Sequence, residues 1–415
     1  MDSSIRNRLR DLARQLDETI HSPRQQELKE RFRKINRLEV CRPPVAVFLP
    51  PQVERKLFLP KDQLVIEDPR YAWIEESLLF WLNYERIMPS DVPIPGSFYT
   101  GTFFSVSDWM EGHKPVRANA DGTATAFEPC IVEYSDIKKM TPPRLTVNHA
   151  ATDEQYAWVY DLLGDILPVQ KGHPYSSAYG WGDSMIDQLV EMRGLEQFYY
   201  DIVDEPEFIH ELMRKMTDGQ LALMEEFKEH GLLVPNTENL IGSCSFSATS
   251  ELPGTDRHDG PVSFENLWGF AQAQELTGVS ADTLAEFVLP YQAEVVNRFG
   301  LLSYGCCEPI DKNIDLYGQF FPKLRILSIS PFSNVELAAE KCKGRYVMAC
   351  KMHPALAACY DRERTLDYLR HLVTAIKGRS ATINFAEITS YGGDDQVFFR
   401  LARDAKQVLD ELWEA

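Results

Sequence analysis

Ser303-Tyr304-Gly305-Cys306-Cys307-Glu308-Pro309 sets two thiols and a carboxylate where an apolar segment, Phe299 to Leu302, runs out. Soft sulfur beside hard oxygen is the donor mixture of a zinc-type site. Further along, the apolar-flanked stretch Tyr346-Val347-Met348-Ala349-Cys350 is followed at once by Lys351, Met352 and His353. If both stretches are strands, their ends converge on one ion, with Cys307 and Cys350 as its sulfur ligands. Side chains alternate across a regular strand, so Cys306 joins Cys307 only if the chain turns between them. Free cysteine is also a common core residue. Core or surface packing is the reading for Cys41, Cys130, Cys244, Cys342 and Cys359, which lack CxxC spacing.

Other side chains fit the mouth of such a site. Glu308 precedes Pro309, which biases it toward extended backbone; its roles are ligand, partner of a ligand, or solvent-facing carboxylate. His353, just before Pro354, suits a ligand, a proton donor or a loop cap. Glu387 and Tyr391 follow the last apolar run and read as substrate contacts. His173 lies in the loop signal Lys171-Gly172-His173-Pro174-Tyr175. It joins Trp181 and Trp268 as a candidate for holding a cofactor, with Phe98, Tyr99, Phe103, Phe104 and Trp109 as further cavity-lining aromatics. His258, in a polar loop, reads as solvated.

The elements that must position these groups come from periodicity. Ile5 to Leu38 is charged, with apolar residues near helical spacing, and predicts two surface helices or a helical arm over residues 1–38. Val45 to Leu49 reads as a first strand and Tyr71 to Ile87 as a helix. Residues 98–150 predict a β-rich insertion, with Phe98 to Val106 and Ala126 to Tyr134 extended. Helices are expected at Ser184 to Met192, Leu195 to Val203 and Glu207 to Glu229. The C-terminal half then alternates. Asn239 to Ser243, Leu301 to Gly305, Leu324 to Ser330, Tyr346 to Cys350 and Ala381 to Ile388 are extended. Ala281 to Phe299, Asp315 to Phe321, Val335 to Lys343, Arg362 to Lys377 and Gln396 to Trp413 are helical. Serial β/α is the signature of a parallel sheet. No GxGxxG or GxxxxGK[ST] occurs, so a (β/α)8 TIM barrel over 39–415 is expected, with its chemistry at the C-terminal ends of the strands.

Composition narrows the partners. A chain of 415 residues with 44% hydrophobic and 25% charged residues buries a large core. The net charge of -19 repels a phosphate backbone, which argues against nucleic acid. No stretch reaches the ~20 apolar residues of a membrane span, and Met1 to Arg10 lacks the apolar segment of a secretion signal. A cytoplasmic protein with reduced thiols is expected.

The chain resembles the uroporphyrinogen decarboxylase-like superfamily. The likeness rests on Leu267-Trp268-Gly269-Phe270 with Gln274-Glu275, on Glu286-Phe287-Val288-Leu289-Pro290-Tyr291, on Tyr304 to Pro309, and on the helix Glu207 to Thr217. The arginine-rich segment with which the decarboxylases grip substrate carboxylates is missing after Val45 to Leu49, where Pro50-Pro51-Gln52-Val53-Glu54-Arg55 stands. The resemblance therefore implies the zinc- and corrinoid-dependent methyltransferases. Some of these use His-x-Cys with a later Cys, and the histidine is absent here. Others use Glu with two separated Cys, for which Glu238 or Glu251, then Cys307 and Cys350, offer the order. The implied activity moves a methyl group from a small aryl methyl ether or methylamine-like donor to a corrinoid protein, as in anaerobic O-demethylation, with zinc as Lewis acid. The rival readings are a metal-independent decarboxylase or lyase using Glu308, His353 and a tyrosine, and a non-catalytic barrel that binds a corrinoid or another small molecule. A homodimer contact is a further role for the N-terminal arm.

Overall fold

The computed structural model describes residues 2–111, 113, 115–117, 125–172, 184–242, 244–254 and 260–413. Its centre is a six-stranded, all-parallel sheet built from β1 (Val45–Val47), β2 (Trp268–Ala271), β3 (Leu301–Tyr304), β4 (Leu324–Ile329), β5 (Val347–Lys351) and β6 (Ala381–Phe385), in the order β1-β6-β5-β4-β3-β2. Each strand from β2 to β5 leads into at least one helix before the next, which is the connection a parallel pair requires. The register Val45↔Ile383 stitches the N-terminal strand to the last one.

The protein is thus α/β with a parallel sheet, as the alternation predicts. Closure into eight strands is not seen among the described residues. The two additional parallel strands, Phe98–Tyr99 and Val169–Gln170, are two residues long and pair with one another rather than with β1 or β2. Within 98–150 the expected β character takes the form of short antiparallel pairings, Phe104–Val106 with Leu145–Val147 and Pro115–Arg117 with Thr125–Phe127. The stretch expected as one helix from Ala281 to Phe299 is two, Ala281–Phe287 and Leu289–Val296, because Pro290 removes a helical N–H donor.

Burial separates the two faces of the sheet. Leu302, Tyr304, Met348, Cys350, Ile383 and Phe385 join the large core under the helices. On the other face, Trp268, Phe270, Leu301, Ile326, Val347 and Ala349 gather around Ile241 and Ile35. Ile35 belongs to α2 (Pro23–Asn36), which follows α1 (Ser3–Ile20). The N-terminal helices are therefore packed into the body. Asn36 donates to the carbonyls of Phe246 (3.0 Å) and Ala248 (2.7 Å), and Arg325 donates to the Asn36 carbonyl. α1 is fastened by a two-point pair from Arg10 to Asp165, at 2.7 and 2.6 Å.

Candidate metal centre

Beyond its apolar start, the inner face of the sheet becomes polar: Ser303, Ser328, Lys351 and Asn384 are all buried there. Strand parity puts Lys351 on the same face as Val347 and Ala349. Its ammonium lies 2.8 Å from Glu387 Oε1, 3.5 Å from Cys306 Sγ and 3.8 Å from Cys307 Sγ.

The two thiols share this point because the chain turns after β3. Gly305, at φ 92°, takes the left-handed conformation that a side chain would strain, and strand alternation ends there. The turn is then tied down group by group. Glu308 accepts from the backbone N–H of Cys306 (2.8 Å) and of Ala273 (3.1 Å). Ser328 donates to the Cys306 carbonyl (3.2 Å) and Ser330 to that of Cys307 (2.7 Å). The result is an Sγ–Sγ separation of 3.6 Å between adjacent cysteines. Glu387, just beyond β6 and at φ 57°, completes the group: Oε1 lies 3.6 Å from Cys306 Sγ and Oε2 3.0 Å from Cys307 Sγ. One donor atom from each of Cys306, Cys307 and Glu387 lies within 4.8 Å of the other two, with Cys307 and Glu387 exposed and Cys306 half-buried.

These distances suit a small tetrahedral ion. Zn–S near 2.3 Å and Zn–O near 2.1 Å imply donor separations of about 3.6 to 3.8 Å, leaving a fourth position open. The sulfur–sulfur separation matches, and Oε2, at 3.0 Å from Cys307 Sγ, must move out by about half an ångström to do so. Electrostatics agree with a cation. The Cys307 thiol is pushed up by its hydrogen bond with Cys306, by burial and by Glu387. Burial pulls the Lys351 ammonium down, but the neighbouring thiols of Cys244 and Cys306 and the Glu387 carboxylate outweigh it and hold the charge in place. Burial raises Glu308, against the two N–H groups it accepts.

The other expected residues fall elsewhere. Cys350 lies on the opposite face from Lys351, buried among the helices, so the pairing of Cys307 with Cys350 on one ion is corrected: parity turns the Cys350 thiol away. Glu251 is paired with Arg325 (3.0 Å). Glu238 holds Lys29 (3.1 Å) and Arg33 and lines a polar cleft of about 640 Å³ against α2. Neither carboxylate joins the thiols. Trp268 is 0% exposed at the start of β2, so it has no surface to offer a cofactor. His353 accepts from the Ala355 N–H through Nδ1 (3.1 Å) and stands 5.4 Å edge-on to Phe332. Tyr391 packs on Phe398. His173, Trp181 and His258 lie outside the described residues.

Three participants escaped the sequence reading. Lys351 follows the strand expected over Tyr346 to Cys350 and was given no role, although counting strand alternation from Val347 would have pointed it inward. Cys244 sits at φ 64° in the turn between Leu240–Ile241 and Ser245–Phe246, within electrostatic reach of Lys351, Glu387 and Cys306; burial pushes its thiol up to about 12. Phe332 is 66% exposed, and its N–H donates to the same Ser330 hydroxyl (3.3 Å) that holds the Cys307 carbonyl.

No family model matches the sequence, and no curated protein matches it. Among solved structures, a methyltransferase from Methanosarcina mazei is similar in chain path, with a TM-score of 0.45 and 10% identity over 93% of this chain and 99% of that one. That likeness concerns the course of the chain; the chemistry rests on the residues above.

Proposed function

We propose that this protein is a methyltransferase that takes a methyl group from a small donor and passes it to a corrinoid protein, with zinc held by Cys306, Cys307 and Glu387. The observation that carries the reading is the grouping of two thiols and a carboxylate at the C-terminal ends of β3 and β6, open to solvent on one side. Zinc bound there supplies a Lewis acid that weakens the bond between the donor's heteroatom and its methyl group. The resemblance stated above supplies the corrinoid acceptor and the aryl methyl ether or methylamine-like donor. The chain's own residues set the stage. Ser328, Ser330 and Glu308 fix the backbone that carries the thiols, and exposed Phe332, whose N–H shares the Ser330 hydroxyl with the Cys307 carbonyl, offers an apolar surface to the donor.

A metal-independent lyase is the second reading, favoured by the contact of Lys351 with all three donor groups. Metal analysis of anaerobically purified protein separates the two. The methyltransferase reading expects about one zinc per chain, lost in Cys306→Ala, Cys307→Ala and Glu387→Gln and kept in Cys350→Ala. It also expects methylation of cob(I)alamin that stops with a chelator. Metal-free protein that turns over a carboxylated substrate would sink it.

A further inference from the structure

We infer that Lys351 is a positioning residue for the ion: it holds Glu387 by one carboxylate oxygen, leaves the other to complete the two-sulfur, one-oxygen donor set, and brings the loaded site to neutrality. The inference rests on the zinc reading above and extends it to a residue that is not itself a ligand.

The division of the carboxylate is visible in the distances. Oε1 accepts from Lys351 Nζ at 2.8 Å, whereas Oε2 faces Cys307 Sγ at 3.0 Å. Glu387 stands at φ 57°, a conformation that costs a non-glycine residue on the order of 1–3 kcal/mol unless its surroundings enforce it. Lys351, from β5, is one of the groups that hold its side chain in place.

Charge makes the second half of the argument. Two thiolates and a carboxylate carry three negative charges, and a divalent ion leaves one uncompensated. The Lys351 side chain is 3% exposed, so its positive charge faces that remainder with little water between. Unpaired charge in such a place is costly, and the pair removes the cost.

The alternative is that the ammonium occupies the ion's own position and competes with it. Geometry argues against this. The Lys351 side chain is buried, while Cys307 and Glu387 are exposed, so an ion can reach the donors from solvent.

The test is zinc affinity by competition with a chromophoric chelator, on metal-stripped wild type, Lys351→Met, Lys351→Arg, Glu387→Gln and the Lys351→Met/Glu387→Gln double variant. Loss of a residue that orients a ligand weakens metal binding roughly 10- to 100-fold, and that is the loss expected for Lys351→Met. Lys351→Arg should restore most of it, and the double variant should bind no more weakly than Glu387→Gln alone. Cobalt substitution should retain thiolate charge-transfer bands in Lys351→Met, since both sulfurs remain. Equal or tighter binding by Lys351→Met would make the ammonium a competitor and overturn the inference. So would a loss that adds in full to that of Glu387→Gln. Both outcomes leave the zinc reading standing, because wild type still binds. Wild type that takes up no ion overturns both. If Lys351→Met does not fold, Lys351→Gln carries the same comparison.

Discussion

At the scale of the residue, the site depends on which way a few side chains point. Cys350 and Lys351 are neighbours on β5, yet one lies under the helices and the other reaches the thiols. Cys306 and Cys307 were legible as candidates in the sequence because they stand together beside a carboxylate, although the carboxylate that meets them in space is Glu387 and not Glu308. Their sharing of one face was not, since it depends on the conformation of Gly305 and on hydroxyls from β4 and just after it. Glu308 illustrates the difference between chemistry and support. Expected as a ligand, a partner of a ligand, a solvent-facing carboxylate or, in the lyase reading, an acid or base, it accepts two backbone N–H groups. Replacing it with alanine leaves both donors buried without a partner, a cost of about 1–3 kcal/mol each, partly offset by removing a carboxylate that burial disfavours. Glu308→Ala is therefore expected to lose about 2–4 kcal/mol in denaturant unfolding and to bind zinc more weakly than wild type.

At the scale of the element, hydrophobic periodicity fixed most strand and helix positions to within a residue or two. It failed where a local device intervened, as at Pro290. β2 carries no alternation because both of its faces are buried, and it entered the sequence reading only through the motif at Leu267 to Phe270. The turn that presents Cys244 contains Gly242 at φ 52°, where an added Cβ would stand 2.0 Å from the Phe270 ring. Gly242→Ala should cost at least about 2 kcal/mol from strain and overpacking together, read from the urea midpoint. Docking of α1 depends on pH. Hydrogen bonds from Arg10 hold the Asp165 carboxyl down to about 2, from an ordinary 3.8. Between these values the unfolded chain binds the proton and the folded chain does not, so stability falls as pH drops through this window and is fully present above it. Arg10→Gln should flatten that acid limb in a circular-dichroism titration.

At the scale of the whole molecule, α2 closes the inner face of the sheet. Ile35 completes the cluster of Trp268, Leu301 and Ile326, and Phe32 packs on Phe246 at 4.9 Å. Composition marked α2 as charged and surface-lying. Its buried stripe of Leu28, Phe32 and Ile35 shows that a helix can read as polar and still seal a core. Deleting residues 2–38 is expected to give a chain that binds a hydrophobic dye and loses its cooperative melt, whereas the zinc-site variants should melt cooperatively, as metal-stripped wild type does. The pairing of β1 with β6 has a further consequence for synthesis. Val45 meets Ile383 only after the intervening chain has been made. At the ~5–20 residues per second of translation, that delay is on the order of tens of seconds. Throughout it the apolar Val45-Ala46-Val47 edge lacks its partner, which leaves the nascent chain open to edge-to-edge association until β6 is made.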